Sequence, residues 1–353
     1  MEEAKNTGNN SFEKLLASNE TLLPQEPAAA MDLVTAIIVA ILILISILSV
    51  FGNALVLTAI YMNYNLRTVG NFLFGNLALS DFLQGAIAIP CRIAELLFAD
   101  CNYRRLFCPA WIALSILFGG SSNLTILFIS VERFIGVRWP FLYYSFVTKK
   151  FVFIVLTFAW VSLAVFASLP LFAWGGLTNF QANLCRFPLF LTTNYITALY
   201  LVVHIVPMCI IVPLYTFILR ESLKSIRKIH IQELSVRTPA ARVNEIDVEE
   251  TDATAPRVQR TTNQAARQRK SAKTVSLVVG LFIVLIMPIV IIDIVEILGG
   301  PIVSVVIIRI AVGMAYANHF LNIFIYAGCS GEYKRAFAKI LSRLRNYFTN
   351  NSR

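Results

Sequence analysis

The chain has 353 residues and a formal net charge of +10; 57% of its residues are hydrophobic and 14% are charged. Ordinary soluble domains run at about 45–50% and about 25%, and here the charges sit between long stretches that hold none. This distribution points to the bilayer and away from a soluble core, and the basic excess reads as membrane topology, not as nucleic-acid binding.

In chain order, residues 1–32 form a polar tail without an apolar h-region, so no cleaved signal peptide is expected. Asn9 and Asn19 head glycosylation sequons in that tail. A span needs about 20 mainly apolar residues at about 1.5 Å each. Seven segments within 33–328 meet this: 33–61, 69–98, 106–131, 151–172, 191–219, 274–298 and 302–327. Residues 151–185 carry no charge, but Pro170, Gly175, Gly176 and Asn179 break that run and separate the fourth span from the fifth. Residues 221–272 form a long third inner loop with basic ends and an acidic centre (Glu245, Asp247, Glu249, Glu250, Asp252), read as helical extensions around a disordered middle. Thr251, Thr254, Thr261 and Thr262 there are candidate kinase sites, though such loops carry threonine anyway.

In residues 329–353, Tyr333, Phe337, Leu341, Leu344 and Phe348 recur at helical spacing with Lys334, Arg335, Lys339, Arg343 and Arg345 between them. This is a basic amphipathic helix expected to lie on the inner leaflet with its cations toward anionic lipid. The fold class is therefore an all-α membrane protein, a seven-transmembrane helix bundle with a short amphipathic eighth helix. With the N-terminus outside, 23 of the 30 basic residues fall on the cytoplasmic side, which sets a plasma-membrane topology with an inner C-terminus. Cys101, Cys108 and Cys185 lie in or beside outer loops, where a disulfide is permitted. Cys91, Cys209 and Cys329 read as small apolar residues.

Polar residues inside spans each call for a reason, since an ionisable group in hydrocarbon costs roughly 2.5–3.5 kcal/mol on insertion scales. Asp81 lies in the inner-middle part of the second span, and Asn53, Ser122, Asn318, His319 and Asn322 are polar residues on other spans placed to converge on it. A hydrated polar core is one account; interhelical hydrogen bonds that merely glue the bundle are the other. Glu132 and Arg133 end the third span, and prolines at 90, 170, 207 and 288 mark kinks.

These residues resemble the rhodopsin-like (class A) G-protein-coupled receptors over about 33–341. Gly52-Asn53 with Val56, Asn76-Leu77-Ala78-Leu79-Ser80-Asp81, Glu132-Arg133-Phe134 and Trp139-Pro140-Phe141 carry the likeness through the first three spans and the loop that follows. Trp160 with Pro170, Pro207 with Tyr215, Phe282 with Pro288, and Asn322-Ile323-Phe324-Ile325-Tyr326 carry it through the rest. The resemblance implies a receptor, not an enzyme. It would bind an extracellular ligand and activate a heterotrimeric G protein when the sixth span swings outward, with arrestin and a receptor kinase as further partners. Arg133 would be restrained by Glu132 at rest, Tyr215 and Tyr326 would stabilise the open state, and Phe141 would enter a pocket on the G protein. Asp81, Ser122, Asn318 and Asn322, with Asn53 in the same polar core, would hold an allosteric sodium ion, the one metal implied. Cys108 would pair with Cys185.

Three departures stand out. Leu285-Ile286-Met287-Pro288 lacks the family's tryptophan, Ile323 replaces the seventh-span proline, and Gln268 stands where an acidic partner for Arg133 is often found. Elevated ligand-free activity is the expected consequence. His319 is a fourth oddity, a residue that when protonated would replace the cation and otherwise is a neutral hydrogen-bonding group.

Candidate ligand-pocket residues are Arg92, Glu95, Ser115, His204, Asp293, Glu296, Arg309 and Tyr316. Ser115 stands where amine receptors carry aspartate, which argues against a monoamine. Tyr316 stands where opsins carry the retinal lysine, so no retinal and no other cofactor is expected. Arg92–Glu95 and Asp293–Glu296 are each three apart on one helix face, and Arg309 is placed to answer one of the latter acids. The mixed charges suit a small polar molecule or a short peptide, or mutual pairing alone. A transporter would show internal repeats and more midplane charge; a metal hydrolase would cluster His and acidic ligands. A receptor-like protein with altered or lost coupling is the more serious alternative.

Overall fold

In hydrocarbon a backbone must satisfy its own hydrogen bonds, so uninterrupted apolar runs of this length become helices. The computed structural model describes residues 28–97, 101–172, 185–237, 277–301 and 303–351. The chain divides into two compact units, Met1–Ile41 and Leu42–Arg353. Of the first, the described part is the start of one long helix, where Leu33, Ile37 and Ile41 are exposed. Every feature below lies in the second.

Among the described residues seven helices are long and apolar enough to cross a membrane. They are α1 (Ala28–Met62), α2 (Val69–Leu97), α3 (Cys101–Arg138), α4 (Lys149–Phe172), α5 (Thr193–Tyr200, Leu201–Ile205 and Val206–Arg237 in continuous run), α6 (Leu277–Ile297) and α7 (Val305–Cys329). α8 (Gly331–Asn351) follows, and short helices occupy Pro140–Phe146 and Phe187–Phe190. Asn9, Asn19, Gln268 and the loop threonines lie outside the described residues, as does the side chain of Phe141.

The second unit carries apolar side chains on its surface as well as in its core, with polar ones buried among the latter. Phe51, Phe153, Phe158, Phe172, Ile310 and Phe324 are exposed, while Ser49, Asn53, Asp81, Ser122, Asn318 and Asn322 are buried. Lipid solvates apolar side chains as well as a core does, so association rests on packing and on interhelical hydrogen bonds. α3 supplies the centre, packing on α2, α4 and α5. Trp160 Nε1 donates to Asn76 Oδ1 at 3.0 Å and Asn76 Nδ2 to Thr125 Oγ1 at 2.7 Å, so one asparagine ties α4, α2 and α3 together.

Two spans contain a widened π-turn, Gln84–Ala88 in α2 and Leu201–Ile205 in α5. Each is followed by a proline, Pro90 or Pro207. A proline ring clashes with the carbonyl four residues back, and an extra residue in the preceding turn relieves that contact. In α2 a carbonyl of the widened turn finds a partner on α1: Ser46 Oγ donates to Gly85 O at 2.7 Å. α7, with Ile323 where the family has proline, runs helical through Val305–Cys329. Gly52 leaves room for that side chain, since a Cβ there would stand 3.2 Å from Ile323 Cδ1.

α8 buries Tyr333, Ala336, Phe337 and Ile340 and exposes Lys334, Arg335, Lys339, Arg343 and Arg345. Leu341 and Leu344, expected on the apolar stripe, are exposed. Tyr333 stacks on Tyr326 at 5.5 Å, and burial pushes its phenol above the ordinary range.

Candidate functional site

Three clusters occupy the second unit along the helix axes. At the disulfide end of the bundle is a cavity of about 170 Å³ lined by α2, α3, α5, α6, α7 and the segment after Cys185. Cys108 and Cys185 are joined, with Cα atoms 5.9 Å apart, and the next residue, Arg186, reaches across to α6. Its Nη2 lies 2.8 Å from Glu296 Oε2 and 3.2 Å from Asp293 Oδ1, and Tyr200 donates its hydroxyl to the other Asp293 oxygen. Arg309 pairs with neither acid among the described residues. The expectation that α7 answers α6 is corrected: the counter-ion comes from the segment between α4 and α5, held in place by the disulfide beside it. Nothing in a loop's hydropathy marks such a residue; its adjacency to Cys185 was the available signal.

Arg92 pairs with Glu95, donates to Cys185 O at 3.1 Å and lies 4.6 Å over the Trp111 ring. Trp111 Nε1 in turn donates to Tyr316 Oη at 2.7 Å. Deeper in the cavity, Gln84 Nε2 reaches Ser115 Oγ at 3.4 Å, while Gln84 Oε1 is buried with no hydrogen-bond partner among the described residues. His204 meets Asn123 at 3.3 Å. Of the pocket candidates, Arg92, Ser115, His204, Asp293 and Tyr316 line the cavity; Glu95 and Glu296 act on it through Arg92 and Arg186; Arg309 is not part of its wall. Trp111, Arg186, Tyr200 and Gln84 are wall residues absent from the sequence-level set.

Below lies the polar core. Asp81 Oδ1 accepts from Ser122 Oγ at 2.9 Å and sits 2.8 Å from His319 Nδ1; Oδ2 accepts from Asn322 Nδ2 at 3.0 Å. Asn53 does not touch the carboxylate. It donates to Ser49 O and His319 O at 2.9 and 2.8 Å, and Ser49 Oγ donates to Asp81 O, stitching α1 to α2 and α7. Both amide atoms of Asn318 are buried with no hydrogen-bond partner among the described residues.

At the opposite end of the bundle Arg133 Nε lies 2.6 Å from Glu132 Oε2, and Tyr143 donates its hydroxyl to Glu132 Oε1 at 2.5 Å. The first turn of α2 abuts this pair: a Cβ on Gly70 would stand 1.9 Å from Arg133 Nη2. Gly70→Ala therefore drives the guanidinium off Glu132. Ligand-free signalling should rise roughly two- to fivefold, the population shift for about 0.5–1 kcal/mol; second-messenger output at matched surface expression is the check, and an unchanged basal level counts against it. The hydroxyls of Tyr215 and Tyr326 are buried without a hydrogen-bond partner among the described residues.

A family model described as 7 transmembrane receptor (rhodopsin family) matches residues 52–326, well over half the chain. The chain belongs to the rhodopsin family of seven-transmembrane receptors. As a rhodopsin-family member it is a G-protein-coupled receptor and not an enzyme. Among curated relatives, the alpha-1A adrenergic receptor of Oryzias latipes is 26% identical over 89% of this chain and 68% of its own length. The alpha-1D adrenergic receptor of Homo sapiens is 26% identical over 84% of this chain and 54% of its own. The alpha-1A adrenergic receptor of Bos taurus is 26% identical over 92% and 71%. The receptor thus spans about half the length of its alpha-1D relatives and about two thirds of the alpha-1A ones.

Proposed function

We propose that this receptor is switched by a small extracellular molecule seated in the outer cavity, and that it signals through a heterotrimeric G protein engaged at Arg133. The observation that carries this reading is His319. Its ring lines the cavity and also contacts Asp81, so a ligand's floor and the polar core are the same side chain. The cavity, about 170 Å³, is close to the size of an engineered apolar cavity that takes up benzene, about 150 Å³. That favours a compact molecule over a peptide. Gln84 Oε1 asks for a hydrogen-bond donor, and Ser115 offers no charge to an amine. The relatives are adrenergic receptors by name; ligands of that kind would have to find their anchor at Asp293, already paired with Arg186.

On this reading the resting arrangement is lightly held. Two buried tyrosine hydroxyls without a hydrogen-bond partner among the described residues cost about 1–3 kcal/mol each if left so, a cost removed in a state where they meet each other or the G protein. The N-terminus lies outside with Asn9 and Asn19 available for glycans. The basic face of α8 meets anionic lipid of the inner leaflet, and arrestin and a receptor kinase act on the inner loop and tail. A receptor-like protein with lost coupling is the second reading, supported by Ile286 at the cavity floor and Ile323 in α7.

Cyclic AMP and calcium in transfected cells decide between them. Signalling without ligand that Arg133→Ala abolishes, at equal surface level, is the expected result. Equal output from both chains would overturn constitutive coupling and favour the second reading.

A further inference from the structure

The family's sodium site depends on a buried carboxylate whose free lone pairs, with neighbouring oxygens, surround the ion; a hard cation is held by oxygen ligands. Here the residues do not fit that use. Asp81 Oδ1 already accepts from Ser122 and Oδ2 from Asn322, while His319 Nδ1 stands 2.8 Å from Oδ1. A carboxylate only accepts, so the imidazole nitrogen facing it carries the hydrogen and points a donor at the oxygen. An N–H in that place repels a cation and fills the volume it needs.

The seat is built, not incidental. His319 is 6% exposed and Asp81 is fully buried. The backbone carbonyl of His319 accepts from Asn53 Nδ2 at 2.8 Å and lies 3.1 Å from Ser49 Oγ, which fixes the ring's origin on α7 from the α1 side. Asn322, whose amide nitrogen meets Asp81, leaves its Oδ1 buried without a hydrogen-bond partner among the described residues, as does Asn318; oxygens able to face an ion are therefore present, and it is the imidazole on Asp81 that stands against one.

We infer that the His319 side chain is the resident occupant of the family's cation pocket, so that this receptor does not take up sodium and bridges α2 to α7 with an imidazole in its place. The ligand cavity above then sits directly on that occupant, and no exchangeable ion lies between ligand and Asp81.

The experiment is a thermal-unfolding titration of the purified full-length receptor in sodium chloride against choline chloride at constant ionic strength. It reads folding and not signalling, so its outcome is independent of the coupling reading above. Wild type should give the same Tm in both salts. His319→Ser, which removes the ring and adds a hydroxyl oxygen, should show a Tm about 3 °C higher in saturating sodium than in choline, and adding Asp81→Asn should erase that rise. His319→Ala serves as the second variant if the serine form does not fold. A sodium-specific rise in wild type, lost in Asp81→Asn, overturns the inference. So does indifference to sodium in both His319 variants, because the ring would then not be what keeps the ion out.

Discussion

Cys108→Ser or Cys185→Ser should remove most folded receptor from the cell surface. The bond closes 77 residues, and a loop of that length stabilises by about 4.5 kcal/mol when chain entropy alone is counted, against roughly 5–15 kcal/mol for a whole domain. More than the crosslink is lost. Cys185 O is an acceptor for Arg92, and Arg186 is the next residue, so freeing this segment loosens both cations of the cavity mouth. Antibody staining of intact cells, set against total receptor, measures the effect. A serine variant that reaches the surface within twofold of wild type and melts at the same temperature contradicts it.

Arg186→Met should be nearly as damaging, by a different route. Asp293 is 5% exposed and would be left with a single donor, Tyr200, for a carboxylate that now receives a guanidinium as well. Stripping the partner from a buried ion pair costs about 3–5 kcal/mol; because Glu296 and Arg186 reach solvent, about 2–3 kcal/mol is the fitting range here. At about 2–4 °C per kcal/mol that is a Tm drop of roughly 4–12 °C. The double variant Arg186→Met with Asp293→Asn should recover much of it, because the stranded charge is gone. Equal losses in the single and double variants would show that Arg186 matters through packing and not through the pair.

The spans were legible because the bilayer imposes one requirement on every one of them, a long run without charge, and Asp81 stood out as the cost that requirement makes visible. Its partners were legible for the same reason: Ser122, His319 and Asn322 are polar residues in apolar surroundings, and they do converge on its carboxylate. The cavity mouth was less so. Arg186 lies in a loop where any residue type is tolerated, and only the fold brings it to α6, whereas Arg309, closer by helix order, faces elsewhere. Gly70 gave no sign of its role, because a glycine at the start of a span has many ordinary uses, and its contact with Arg133 is set by how α2 meets α3. Tyr143 likewise looks like an ordinary loop aromatic until the helix Pro140–Phe146 folds back on Glu132.

The two widened turns bear on how this receptor can be compared with its kin. An α-helix advances about 100° per residue, so the single extra residue in Gln84–Ala88 or Leu201–Ile205 rotates everything beyond it by about that much. Arg92 and Glu95 lie beyond the first. A relative whose second span winds as a plain helix presents, at the same count from the position of Asp81, a residue on a different face. Pocket residues transferred by counting along a span without a gap would therefore be assigned to lipid, and lipid residues to the pocket, in the part of α2 that follows Gln84–Ala88. On this side of the bundle, ligand specificity is a matter of phase along the helix as much as of residue type.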